Sequence, residues 1–164
     1  MNTFHRCLVV IAISAAVPAI AVADDHQRFA EACYQQTVYA QAGKRAEELD
    51  TRSCDRALLR GPRRDSYRSD VLHNRAIIEM AQGKEKRGRA SLEASVALAL
   101  EVGKPHVALA VLAHRQGDYG RAYALYEQVL SEASSHPDVE PLIGKLTRNF
   151  ESVARQAGVA ALGR

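Results

Sequence analysis

"LAHRQGDYGRAYALYEQVL", residues 112–130, has a looser twin at 78–96, "IEMAQGKEKRGRASLEASV". Gln82-Gly83 and Gln116-Gly117 stand 34 residues apart. On that interval Ala76 falls on Ala110, Gly88 on Ala122, Leu92 on Tyr126, Ser95 on Val129 and Val96 on Leu130. Small residues land on small ones, and bulky residues mostly on bulky ones. Packed helix pairs need this alternation, because a small residue lets the backbones approach while a large one a turn later fills the space beyond. A lone hairpin cannot bury its own apolar face, so hairpins written at one interval are expected to stack.

Working outward, apolar and small residues recur at three- and four-residue steps from residue 26 to about 158, and alternation with period two is missing, so every element is expected to be helical. The predicted helices lie at 26–42, 45–60, 68–82, 86–101, 104–116, 120–134 and 138–158. Gly43, Gly83 and Gly117 each follow a periodic stretch, where a glycine can end a helix in the left-handed conformation. The longest break, "RGPRRDSYR" at 60–68, reads as a basic surface loop.

The 34-residue unit carrying "QGDYGRAYALYEQVL" resembles the tetratricopeptide repeat. Gly117-Asp118-Tyr119, Ala122 and Tyr126 sit where that family has a turn glycine with an acidic residue, a small residue and an aromatic, and Pro137 resembles its closing proline, a few residues late. In the unit at 69–102, Asn74 and Ala76 fit and Gly88 takes the small site, but the closing proline is absent. "CDRAL", 54–58, resembles "YEQVL", 126–130, at the same place in a second helix. Over residues 45–137 the chain looks like the small secreted tetratricopeptide-repeat proteins of Gram-negative bacteria, in which a cysteine-bearing helix precedes a loop and "NR"-type helices.

The expected fold class is therefore all-α: a short right-handed α-α solenoid of such hairpins with a C-terminal capping helix. Its expected organisation is a cleaved signal peptide at 1–23, a helical hairpin at 24–60, a basic loop at 61–68, two repeats at 69–137, and the capping helix and tail at 138–164. In the last helix Val139, Leu142, Leu146, Phe150, Val153 and Ala157 form one apolar stripe. Such a stripe covers the end of a stack or, with its nearly heptad spacing, seals a homodimer.

The leader assignment rests on Arg6, the apolar run Cys7–Ile20 and the small-residue exit Ala21-Val22-Ala23 before Asp24. The run is too short to read as a membrane span. Of 22 basic residues Arg6 leaves with the leader, so 21 face 19 acidic ones, too near balance to argue for nucleic acid. Cys33 and Cys54 remain, in a chain expected in the periplasm or outside the cell. They lie at matched heights on either side of the Gly43-Lys44 turn, so they either form a disulfide or pack as two buried thiols.

No constellation for catalysis stands out. The histidines at 26, 73, 106, 114 and 136 lack paired metal-ligand spacing, and there is neither a phosphate loop nor a nucleophile elbow. No metal and no cofactor is expected. Two basic clusters, Arg60/Arg63/Arg64/Arg68 and Lys84/Lys86/Arg87/Arg89, could touch an anionic envelope surface; the second opposes a helix dipole, which hints at a use.

The function this supports is a non-catalytic module that binds a peptide or protein partner. The resemblance implies that the first helix of each hairpin lines the groove, which places Asp70, His73, Asn74 and Ile77 on one helix and Lys104, Val107, Ala108 and Val111 on the next. Two other readings are a structural protein dimerising through its last helix and, with no constellation to carry it, an envelope hydrolase.

Overall fold

The computed structural model describes residues 20–132 and 139–158, with side chains from Asp25 onward. Among them every regular element is helical: α1 (Ile20–Gln41), α2 (Arg52–Arg60), α3 (Asp65–Ala81), α4 (Glu85–Leu98), α5 (Lys104–Arg115), α6 (Tyr119–Glu132) and α7 (Ile143–Gln156), with 3-10 turns at Ala46–Glu48 and Glu140–Leu142. The helices pair in order, α1 with α2, α3 with α4, and α5 with α6, while α3 also packs on α1 and α2, α5 on α3 and α4, and α7 on α6.

The repeated Gln-Gly signal has one local cause. Gly83 and Gly117 sit at φ 74° and 77°, and the next residue reaches back five positions: Lys84 N–H donates to Glu79 O at 2.8 Å and Asp118 N–H to Ala113 O at 3.0 Å. This is a Schellman close, in which a left-handed residue lets the chain satisfy carbonyls that the helix end leaves open. Lys44 bonded to Tyr39 O at 3.0 Å repeats it after Gly43.

The 34-residue ruler also holds in burial. Ala76 and Ala110, Gly88 and Ala122, Leu92 and Tyr126, and Ser95 and Val129 are all buried, and Val96 and Leu130 are both half-buried. Gly88 lies where the packing of α4 on α3 leaves no room for a side chain. A Cβ there would lie 2.7 Å from Met80 Cγ and 3.1 Å from Ala76 O.

Three apolar clusters run along the chain, each shared between neighbours. Cys33, Leu49, Cys54, Ala57, Val71 and Ile78 form the first; Ala76, Leu92, Leu109 and Leu112 the second; and the third joins α5 and α6 to α7 through Ala113, Tyr126, Val129, Val139, Leu146 and Val153. The stripe on the last helix is thus turned onto α6. Val139 and Val153 are fully buried and Leu146 is 2% exposed, Phe150 stacks on Tyr123 at 4.8 Å, and Asn149 Nδ2 donates to Tyr126 Oη at 3.3 Å.

Several boundaries differ from expectation. The helix predicted at 45–60 is broken: Leu49 is extended, at φ −95° and ψ 142°, and its buried side chain joins the first cluster while its carbonyl accepts from Gln82 Nε2. Asp50 then restarts the chain, Oδ1 accepting from Arg52 N–H at 2.9 Å, as an aspartate does when it offers the backbone a turn. The loop is shorter than predicted, because α3 begins at Asp65, whose negative charge suits a first turn. Tyr67 lies over Gly61, where a Cβ would approach within 2.4 Å of its ring. The last helix begins at Ile143, after a 3-10 turn that carries Pro141 at its start, where the missing proline N–H costs no helical bond. Helix α1 is already formed at Ile20, ahead of the predicted 26. The body of the leader and Pro137 lie outside the described residues.

Of the two states left open for the cysteines, the chain adopts the bridged one. Cys33 and Cys54 are joined with Cα atoms 4.8 Å apart, and both are fully buried.

Candidate functional site

One cleft of about 1070 Å³ opens along the first helices of the hairpins. Tyr34, Thr37 and Gln41 of α1 form one wall. Ser66, Ser69, Asp70, His73, Asn74 and Ile77 of α3 form the floor, and the connection 99–103 with Lys104 and Pro105 forms the other wall. Two sets of side-chain bonds hold its frame. Thr37 Oγ1 lies 3.2 Å from Asn74 O and 3.3 Å from its own helix's Cys33 O, tying α1 to α3. Ser69 Oγ donates to Ser95 O at 2.9 Å and Ser95 Oγ donates to Ser69 O at 2.7 Å, so α3 and α4 are joined by a reciprocal pair.

Five of the eight expected groove residues meet in this cleft: Asp70, His73, Asn74, Ile77 and Lys104. Val107 and Val111 are half-buried and pack on the third cluster, and Ala108 packs on the second. None of these three lines the cleft, because α5 presents only its first turn there. The walls contributed by α1 and by 99–103 were not foreseen. Leu100, in that connection, is 83% exposed, and nothing in its sequence setting marked it as a wall residue.

His73 is the unusual group of the floor. Its Nδ1 is buried without a hydrogen-bond partner, and burial, with the Lys104 ammonium nearby, pushes its pKa down to about 4. The ring is therefore neutral at pH 7, and between the unfolded value of about 6.5 and 4 the unfolded chain binds the proton and the folded one does not. Stability from this residue is complete above pH 6.5 and is lost as pH falls through 4. We expect urea midpoints to drop between pH 7 and 4 by the equivalent of roughly 2–3 kcal/mol, and the His73→Phe chain to lack that component. An identical pH slope in both chains would exclude His73 as its source.

His106 and His114 have structural settings. His106 Nδ1 accepts from Gly103 N–H at 3.4 Å where α5 begins, and His114 makes edge contacts with Tyr119 and Tyr126, each at 6.1 Å. Among the described residues no three His, Cys, Asp or Glu side chains converge as metal ligands would.

The cations opening α4 have an internal counterpart that the sequence reading missed. Glu79, fully buried, receives Arg87 Nη2 at 3.1 Å, Arg75 Nε at 3.2 Å and Ser91 Oγ at 2.7 Å, and Arg75 also meets Asp55 at 3.2 Å. Arg87 thus holds a core carboxylate rather than standing free. The 34-residue ruler could have found it, because Glu79 falls on Ala113, a buried position.

No protein-family model, no curated protein and no solved structure matches this chain.

Proposed function

We propose that the chain is a non-catalytic interaction module, a short right-handed α-α solenoid of tetratricopeptide-like hairpins that takes an extended segment of a peptide or protein partner into the cleft between α1, α3 and the 99–103 wall. The observation that carries this reading is the cleft itself. It runs along the first helices of successive hairpins, is broad and open, and mixes apolar Ile77, Tyr34 and Leu100 with polar Asp70, Asn74 and Lys104. A site with a few convergent polar groups among apolar ones suits a ligand with both side chains and backbone to offer. The repeat interval, the Schellman closes and the small-large alternation support the solenoid. The leader pattern and the buried Cys33–Cys54 bridge support export to an oxidising compartment, the periplasm or beyond.

The test is position-specific photocrosslinking in cells. A photoreactive residue at Leu100, on the cleft wall, is expected to give a discrete adduct that weakens with Lys104→Glu, while the same group at Glu127, exposed on α6, gives none. Equal adducts from the two positions, or none from Leu100, would overturn the assignment of the cleft.

A further inference from the structure

Helix α2 presents a second surface, away from the cleft residues. Its inner side holds buried Cys54 and Ala57. Arg52, Arg56 and Arg60 recur every four residues on the outer side, and Leu59, three after Arg56 and seven after Arg52, falls among them and is 81% exposed. Arg63 and Arg64 follow in the loop, both exposed. The guanidinium groups of Arg56 and Arg60 stand over the Phe29 ring at 5.5 and 5.8 Å, which fixes their direction. Arg52 is paired with Asp50 at 3.0 Å and Arg60 lies 3.9 Å from Asp25. Among the described residues Arg56, Arg63 and Arg64 have no carboxylate within 4.0 Å.

We propose that this face docks on an anionic lipid bilayer, its arginines meeting phosphate-bearing headgroups and Leu59 entering below them. Charge complementarity points to an anionic partner, and Leu59 decides which one. A hydrated soluble polyanion gains little from an exposed leucine, whereas at a bilayer the apolar side chain leaves water while the surrounding cations stay at headgroup level. Arginine suits the role because its fork binds phosphate oxygens in pairs.

The experiment is co-flotation of the whole chain with vesicles of phosphatidylcholine alone and of phosphatidylcholine mixed with phosphatidylglycerol. The readout is the ratio of the two and its change in the variants, since any binding through Arg6 and the apolar run Cys7–Ile20 is common to parent and variants. The ratio is expected to exceed about ten and to fall at least about tenfold in Arg63→Glu/Arg64→Glu. That variant sits in the loop, where among the described residues neither side chain has a hydrogen bond or ion pair to lose. Leu59→Ser is expected to lower binding to the anionic vesicles about fivefold, and high salt to abolish the preference. A wild-type ratio near one overturns the proposal. So does an unaffected Leu59→Ser chain whose binding soluble polyphosphate fully displaces, because the partner would then be a polyanion and not a bilayer.

Discussion

Arg75→Met is expected to lower the unfolding free energy by about 3 kcal/mol in urea titrations, the cost of stranding a buried charge by removing one partner. Arg75 is the most enclosed cation on Glu79, its side chain 24% exposed against 56% for Arg87. Without it the carboxylate keeps only Ser91 and an arginine largely in water. The origin of the effect can be separated from simple loss of packing. In Arg75→Met/Glu79→Leu no charge is left buried, and such apolar replacements are often neutral or stabilising, so this chain should return to within about 1 kcal/mol of the parent. Equal losses in the single and double variants would mean that the arginine acts through its methylene stem alone.

Cys33→Ala/Cys54→Ala should cost about 3 kcal/mol, the loop-entropy value for a closure of this length, with the bridged residues 21 apart in sequence. Because the bridge restrains mainly the unfolded chain, helix content in native buffer should stay close to the parent while the urea midpoint falls. Reductant applied to the unfolded parent should reproduce the shift. A loss below about 1 kcal/mol would show that the unfolded chain already holds the two segments together.

How much of this could be read in advance follows from the range of the interactions. The helices, their Schellman closes and the small-large matching of α3–α4 with α5–α6 were legible, because they depend on residues within one turn or one repeat. So was the matched height of Cys33 and Cys54, which left the bridge as one of two states. The break at Leu49 was not, because it is imposed by a partner 33 residues away, Gln82. Nor were the cleft's walls, since Tyr34 and Leu100 become neighbours of Asp70 only after three helices have packed. Val107, Ala108 and Val111 lie outside the cleft for a related reason. Position along a helix gives a face, but which neighbour covers that face depends on the next hairpin.

The reciprocal bond between Ser69 and Ser95 has a mechanical meaning. Each hydroxyl grips the other helix's carbonyl, so a one-residue slip of α3 along α4 would break both bonds together. Ser95 O also receives Ala99 N–H at 3.0 Å, and Ala99 begins the 99–103 wall of the cleft. The pair therefore acts as a pawl that fixes the height of that wall above His73. Sliding the two helices past one another would move that wall only by breaking both bonds, so the serines are its anchor bolt.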